Sequence, residues 1–181
     1  MDRHDWLARE LPNLHNYAML LYEAATDDRV PVAGKNPCYA AAKYLVESED
    51  VIPDSDTFGL VDDLFVIFYG LNELLRQGGR EALAAFGQRA WADGLTLQQK
   101  IQEARARFPT FWAYMETEVA RGFQEVARQI RKEPEHVNDL LTTLAHFVGY
   151  CQQCPIHAFF TKEELDQFLA HRQPRKRGEE A

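Results

Sequence analysis

Apolar residues are spread unevenly along the chain. Their densest run covers residues 64–71, LFVIFYGL, and follows an acidic stretch and two adjacent aspartates, Asp62 and Asp63. A helix over this run has no polar face, so it must be enclosed by protein or by something apolar. The pattern predicts a central buried helix near residues 59–76, with Asp56 or Thr57 as its cap. Asp62 and Asp63 fall near its first turn, where the helix dipole favours anions. Gln77-Gly78-Gly79 ends it.

Elsewhere apolar positions recur at three- and four-residue spacing, the signature of helices with one buried face. Residues 2–11 form a short helix with Trp6, Leu7 and Leu11 on one side, ended by Pro12. A second helix, 13–26, buries Leu14, Tyr17, Ala18, Leu21 and Ala25. The stretch RVPVAGK reads as a loop. Asn36-Pro37 reads as a helix start, a capping side chain followed by proline at the first helical position. That helix runs over 37–47 with Ala41, Tyr44 and Leu45 inward. ESEDVIPDSDT is an acidic turn, because Pro53 cannot sit inside a helix.

Past Gly79 the spacing predicts helices over 80–92 (Leu83, Phe86 and Ala90 inward), from Thr96 to about Phe108, over 109–132, from Pro134 to about Gln153, and over 161–171. Residues 173–181 form a tail expected to be disordered. No stretch alternates with period two. The fold class is therefore all-α, a single-domain bundle of about seven or eight helices around the central one. Residues 1–78 would form its core and residues 79–172 an extension packed on that core.

Composition narrows the function. The chain has 181 residues and a net charge of −8, with 46% hydrophobic and 27% charged residues, so a folded domain is expected. Residues 1–80 carry 14 acids against 7 bases, and the remainder is nearly balanced. An acidic chain repels phosphate backbones, which argues against nucleic acid as a partner. The three cysteines are too few for a disulfide framework, and the charged N-terminus has no apolar signal-peptide core. The apolar run is far below the roughly 18 residues of a spanning helix. A soluble, cytoplasmic protein with no transmembrane segment is expected.

Between residues 14 and 77 several uncommon positions occur together. They are Asp28-Arg29-Val30-Pro31, Tyr44-Leu45-Val46, Asp50-Val51-Ile52-Pro53-Asp54, Gly59 and Asp62-Asp63-Leu64. This run resembles the YkvA-like domain family. The resemblance implies a small helical domain, some of whose members are membrane-associated, and supplies no established activity. It covers about a third of the chain. Where the family has Ser-Pro-Ile this chain has Glu47-Ser48-Glu49. Where the family has Phe-Ile-Pro it has Ser55-Asp56-Thr57, one residue shorter. An apolar loop has become acidic, which argues against membrane association.

Four constellations could carry chemistry. Asp50, Asp54, Asp62 and Asp63 could hold Mg²⁺ or Ca²⁺ through oxygen, or they could serve as turn and helix-start acceptors. Cys151 and Cys154, with His157 and His146, have a zinc-like spacing, but His146 lies about 140° from Cys151 on a continuous helix. Cys38 falls in the first turn after Asn36-Pro37, where a helix N-terminus lowers a thiol's pKa, so it is the best-placed thiol nucleophile, and a small buried residue beside Ala40, Ala41 and Ala42 is the simpler reading. Arg121, Arg128 and Lys132 form a basic stripe, but Glu118 and Glu125 interleave with it, so a salt-bridged solvated face is the simpler reading. The chain has only the serines Ser48 and Ser55 and no nucleophile elbow, phosphate-cradling glycine loop or HExxH.

The sequence therefore favours a helical protein–protein interaction module without catalysis or cofactor, a component of a larger bacterial assembly or a homo-oligomer. Trp6, Trp91, Phe111, Trp112, Phe159 and Phe160 are its candidate partner-binding aromatics. The alternatives are a divalent-metal-dependent enzyme using the four aspartates, or a peripheral membrane protein.

Overall fold

The central element is a helix at Gly59–Gln77, enclosed on every side from Val61 to Leu71. The structure, a computed structural model, describes residues 1–46, 58–153 and 160–171. Ahead of the central helix come α1 (Arg3–Glu10), α2 (Leu14–Thr26) and α3 (Val32–Val46), so Gly59–Gln77 is α4. Asp2 caps α1 by accepting from the Asp5 N–H at 2.9 Å, and Pro12 sits in a short tight turn between α1 and α2.

α3 starts five residues earlier than the Asn36-Pro37 signal predicts. The Pro31 carbonyl accepts from the N–H groups of Gly34 and Lys35, at 2.8 and 3.1 Å, and this closes a first turn ahead of Pro37. Pro37 lies inside the helix, and RVPVAGK is a helix start rather than a loop. α3 packs most extensively on α4. Gly70 permits this approach: a Cβ there would lie 2.9 Å from the Ala41 Cβ and 3.3 Å from the Pro37 carbonyl.

α5 (Gly79–Ala82) opens on Gly79, with φ of +66°, and continues into a wide turn at Leu83–Gly87. The helical stretch stops there, short of the expected residue 92, and Leu83 and Ala90 face outward. A tight turn replaces its end. Trp91 N–H donates to Leu95 at 2.9 Å, Gly94 has φ of +78°, and Ala90 bridges Thr96. Thr96 then opens α6 (Leu97–Arg107) with a reciprocal capping box: Thr96 N–H donates to the Gln99 side chain at 2.8 Å and Gln99 N–H to Thr96 Oγ at 3.3 Å.

α7 (Pro109–Tyr114), a widened turn at Met115–Val119 and α8 (Ala120–Lys132) form one continuous rod, as the spacing predicts. α9 (His136–Gln153) lies across α2 and α3, and α10 (Lys162–His171) brings Phe168 flat against Phe58 at 4.5 Å. No β-strand forms among the described residues. The chain is an all-α multi-helix bundle, and none of its described helices is long and apolar enough to cross a membrane.

Both halves of the chain share one core. Trp6 of α1 meets Phe65 and Phe68 of α4 and Phe108 ahead of α7, with ring centres 5.4–6.1 Å apart. Phe111 packs edge-on to Phe65 at 4.8 Å. The expected aromatic surface is thereby corrected. Trp6, Phe111, Trp112 and Phe160 are buried and Trp91 partly so, because stripes from distant helices pair with one another. Phe159 lies outside the described residues.

Candidate functional site

Burying a charged group costs several kcal/mol unless it is paired and hydrogen-bonded. The described residues include a group of buried charges that meets those conditions. Glu10, on α1, and Lys100, on α6, are 0% and 1% exposed, and the Lys100 ammonium reaches the two Glu10 oxygens at 3.1 and 3.3 Å. Local sequence placed each charge on an apolar stripe. Glu10 shares its helix face with Trp6, Leu7, Leu11 and Leu14, and Lys100 shares one with Leu97, Ile101 and Ala104.

The remaining lone pairs and protons are also used. Tyr17 donates its hydroxyl to Glu10, and burial and the facing carboxylate both push that hydroxyl's pKa upward. Arg9 donates to Glu10 at 2.5 Å and to Glu103 at 2.6 Å. Asp93, from the tight turn before α6, accepts from Lys100 at 2.6 Å and from the Leu95 N–H at 3.1 Å. Partial burial alone would raise the Asp93 carboxyl, but the Lys100 ammonium outweighs it and holds the pKa low. Glu103 follows the same pattern, with the Arg9 guanidinium outweighing burial. Trp6 also donates to Glu103, at 3.1 Å.

This cluster floors an open cavity of about 370 Å³ between α1, α2 and the 89–95 turn. Arg89 and Glu23 close one end with an ion pair at 2.6 Å, and Trp91, tilted against Tyr17 with ring centres 4.6 Å apart, walls another. No spacing rule connects these residues, which lie up to 97 positions apart in the chain. The available signal was a charge on an apolar stripe, once on α1 and once on α6.

A second concavity lies at the surface where α3 packs on α8 and α9. Two hollows, of about 150 and 230 Å³, share Lys43 and Val126 and form a groove over Val119, Phe123 and Ile130. Gly122 opens onto it, and a Cβ there would meet nothing within 4 Å.

Asp62 and Asp63 are 1% and 2% exposed, and Asp62 accepts from the Tyr44 hydroxyl at 2.6 Å. Asp50 and Asp54 lie outside the described residues. Among the described residues no three His, Cys, Asp or Glu side chains converge as metal ligands. Cys38 is a correction. It sits in the middle of α3 rather than in a first turn, it donates weakly to the Gly34 carbonyl, and burial pushes its pKa up to about 12. Cys151 is buried while His146 is exposed, so the two do not meet; Cys154 and His157 lie outside the described residues. Arg121 and Arg128 pair along their own helix with Glu118 and Glu125, at 3.7 and 2.6 Å, as a solvated face does.

No family model, curated protein or solved structure matches this chain.

Proposed function

We propose that the chain is a soluble, cytoplasmic docking module without chemistry of its own, a YkvA-like core over residues 14–77 extended by C-terminal helices. It holds an amphipathic helix of a protein partner in the groove between α3, α8 and α9. Gly122 carries this reading. Glycine inside a helix costs about 1 kcal/mol relative to alanine, and it is kept where a backbone must approach closely. Gly34, Gly70, Gly78 and Gly87 each meet such a neighbour within this chain, whereas Gly122 and Gly149, both inside helices, meet none, and Gly122 faces the groove. Val119, Val126 and Ile130 are buried and form the floor of the groove, and the half-buried Phe123 supplies the apolar wall that a partner helix would meet.

The test is capture from source-cell extract by the wild-type chain and by Gly122→Trp, which closes the groove from an open position. A partner retained by wild type and lost by the variant, with unchanged melting, is the expected result. Equal capture by both, or no partner for either, overturns the reading.

The buried carboxylates of Asp62 and Asp63 favour one alternative, a divalent-metal site shared with Asp50 and Asp54. Calorimetric titration with Mg²⁺, Mn²⁺ and Ca²⁺ decides it, and a flat titration removes it.

A further inference from the structure

The cavity above Glu10 and Lys100 is a second feature, independent of the groove, and its charges indicate what would fit. Arg9, Arg89 and Lys100 line it as cations. Each is matched by a carboxylate: Arg9 by Glu10 at 2.5 Å, Arg89 by Glu23 at 2.6 Å and Lys100 by Asp93 at 2.6 Å. Glu103, which does not line the cavity, takes Arg9 at 2.6 Å and has Arg107 nearby at 3.8 Å. The site is thus rich in charge but locally balanced. An ionic ligand would find no net field to hold it and would have to break an existing pair.

A neutral hydroxyl has no such difficulty. It donates and accepts at once, so it can take a free guanidinium N–H and a free carboxylate lone pair without displacing either partner. The ion pairs hold those groups in place beforehand, which reduces the ordering cost of binding. Asn13 and Asn16 add side-chain amides to the same wall, and Met19 and Trp91 add apolar surface for C–H faces. A volume of about 370 Å³ lies at the small end of ligand pockets, typically about 300–1,000 Å³.

We propose that this cavity binds a small neutral polyhydroxylated ligand, of monosaccharide or cyclitol size. Its hydroxyls bridge the Arg9, Arg89, Glu23 and Asp93 side chains, and its carbon skeleton rests against Met19 and Trp91.

The experiment titrates the full-length protein with D-glucose, D-galactose and myo-inositol, and separately with inorganic phosphate and acetate, following the Trp91 indole N–H by NMR. That signal is assigned by its loss in Trp91→Phe. A saturable shift with at least one polyol is expected, weakened about tenfold or more in Met19→Trp, which fills the cavity. Asn16→Leu removes an amide from the wall at lower risk to the fold, and it should weaken the response in the same direction. The proposal fails if no polyol moves the signal or if the response survives both variants. It also fails if phosphate or acetate saturates the site and the polyols do not.

Discussion

Lys100 has its ammonium among two carboxylates at the bottom of an apolar stripe, where an unpaired charge would not be tolerated. Replacing it with methionine leaves Glu10 buried beside only Arg9 and Tyr17. Breaking one partner of such a pair typically costs about 3–5 kcal/mol. Lys100→Met is expected to destabilise the protein within that range in urea denaturation. The double variant Glu10→Leu/Lys100→Met should lose clearly less than the sum of the single losses, because it removes both desolvated charges, and a double-mutant cycle reads the difference. At Cys38 burial keeps the thiol protonated, with a pKa up to about 12. Peptide mapping after iodoacetamide treatment at pH 8 should find Cys38 unmodified in the native protein and labelled only after unfolding. Both residues show the limit of local reading. Glu10 and Lys100 stand out as charges on apolar stripes, but nothing in the sequence shows that the two stripes face each other. Cys38 looked like a first-turn thiol because Asn36-Pro37 satisfies the rules for a helix start. The Pro31 carbonyl had already started the helix.

Among the elements, α4 and α8 give opposite expectations for the same glycine-to-alanine change. Gly70 on α4 is where α3 crosses, and a Cβ there falls 2.9 Å from Ala41. Gly70→Ala should therefore destabilise the protein, by about 1–3 kcal/mol, the usual cost of overpacking. Gly122 lies on α8 with open space above it. Gly122→Ala should stabilise by up to about 1 kcal/mol through helix propensity. Paired urea denaturation curves check both signs. The long rod from Pro109 to Lys132 was legible because its stripe repeats without interruption. The stretch expected over 80–92 was not, because a hairpin-like turn around Gly94 satisfies the same backbone groups.

For the molecule as a whole, acid is the natural probe of the ion-pair scaffold. The Asp93 and Glu103 carboxyls are held below their usual values. Asp2 and Asp27 are lowered to about 2, the first by the Asp5 backbone N–H and Lys162, the second by Arg29. With folded-state pKa values depressed, the unfolded chain binds more protons on acidification. The stabilisation is present above the unfolded carboxyl values, 3.8 for Asp and 4.5 for Glu, and is lost as pH falls toward about 2. The melting temperature should therefore drop across that window. Asp93→Asn should flatten the drop, with its melting temperature already lower at neutral pH.

Periodicity alone determined that the chain is all-helical, that residues 59–76 are its buried centre, and where most helices begin and end. Those properties follow from local rules: a three- and four-residue spacing fixes a helix face, and a run without polar residues must be enclosed. Tertiary structure decided which faces meet. It turned the candidate partner-binding aromatics into a shared core, withdrew Cys38 from reactivity and left Gly122 uncovered. It also brought Glu10 and Lys100 together across 90 positions. Such pairings depend on packing between elements far apart in the chain, and no rule of local spacing carries that information.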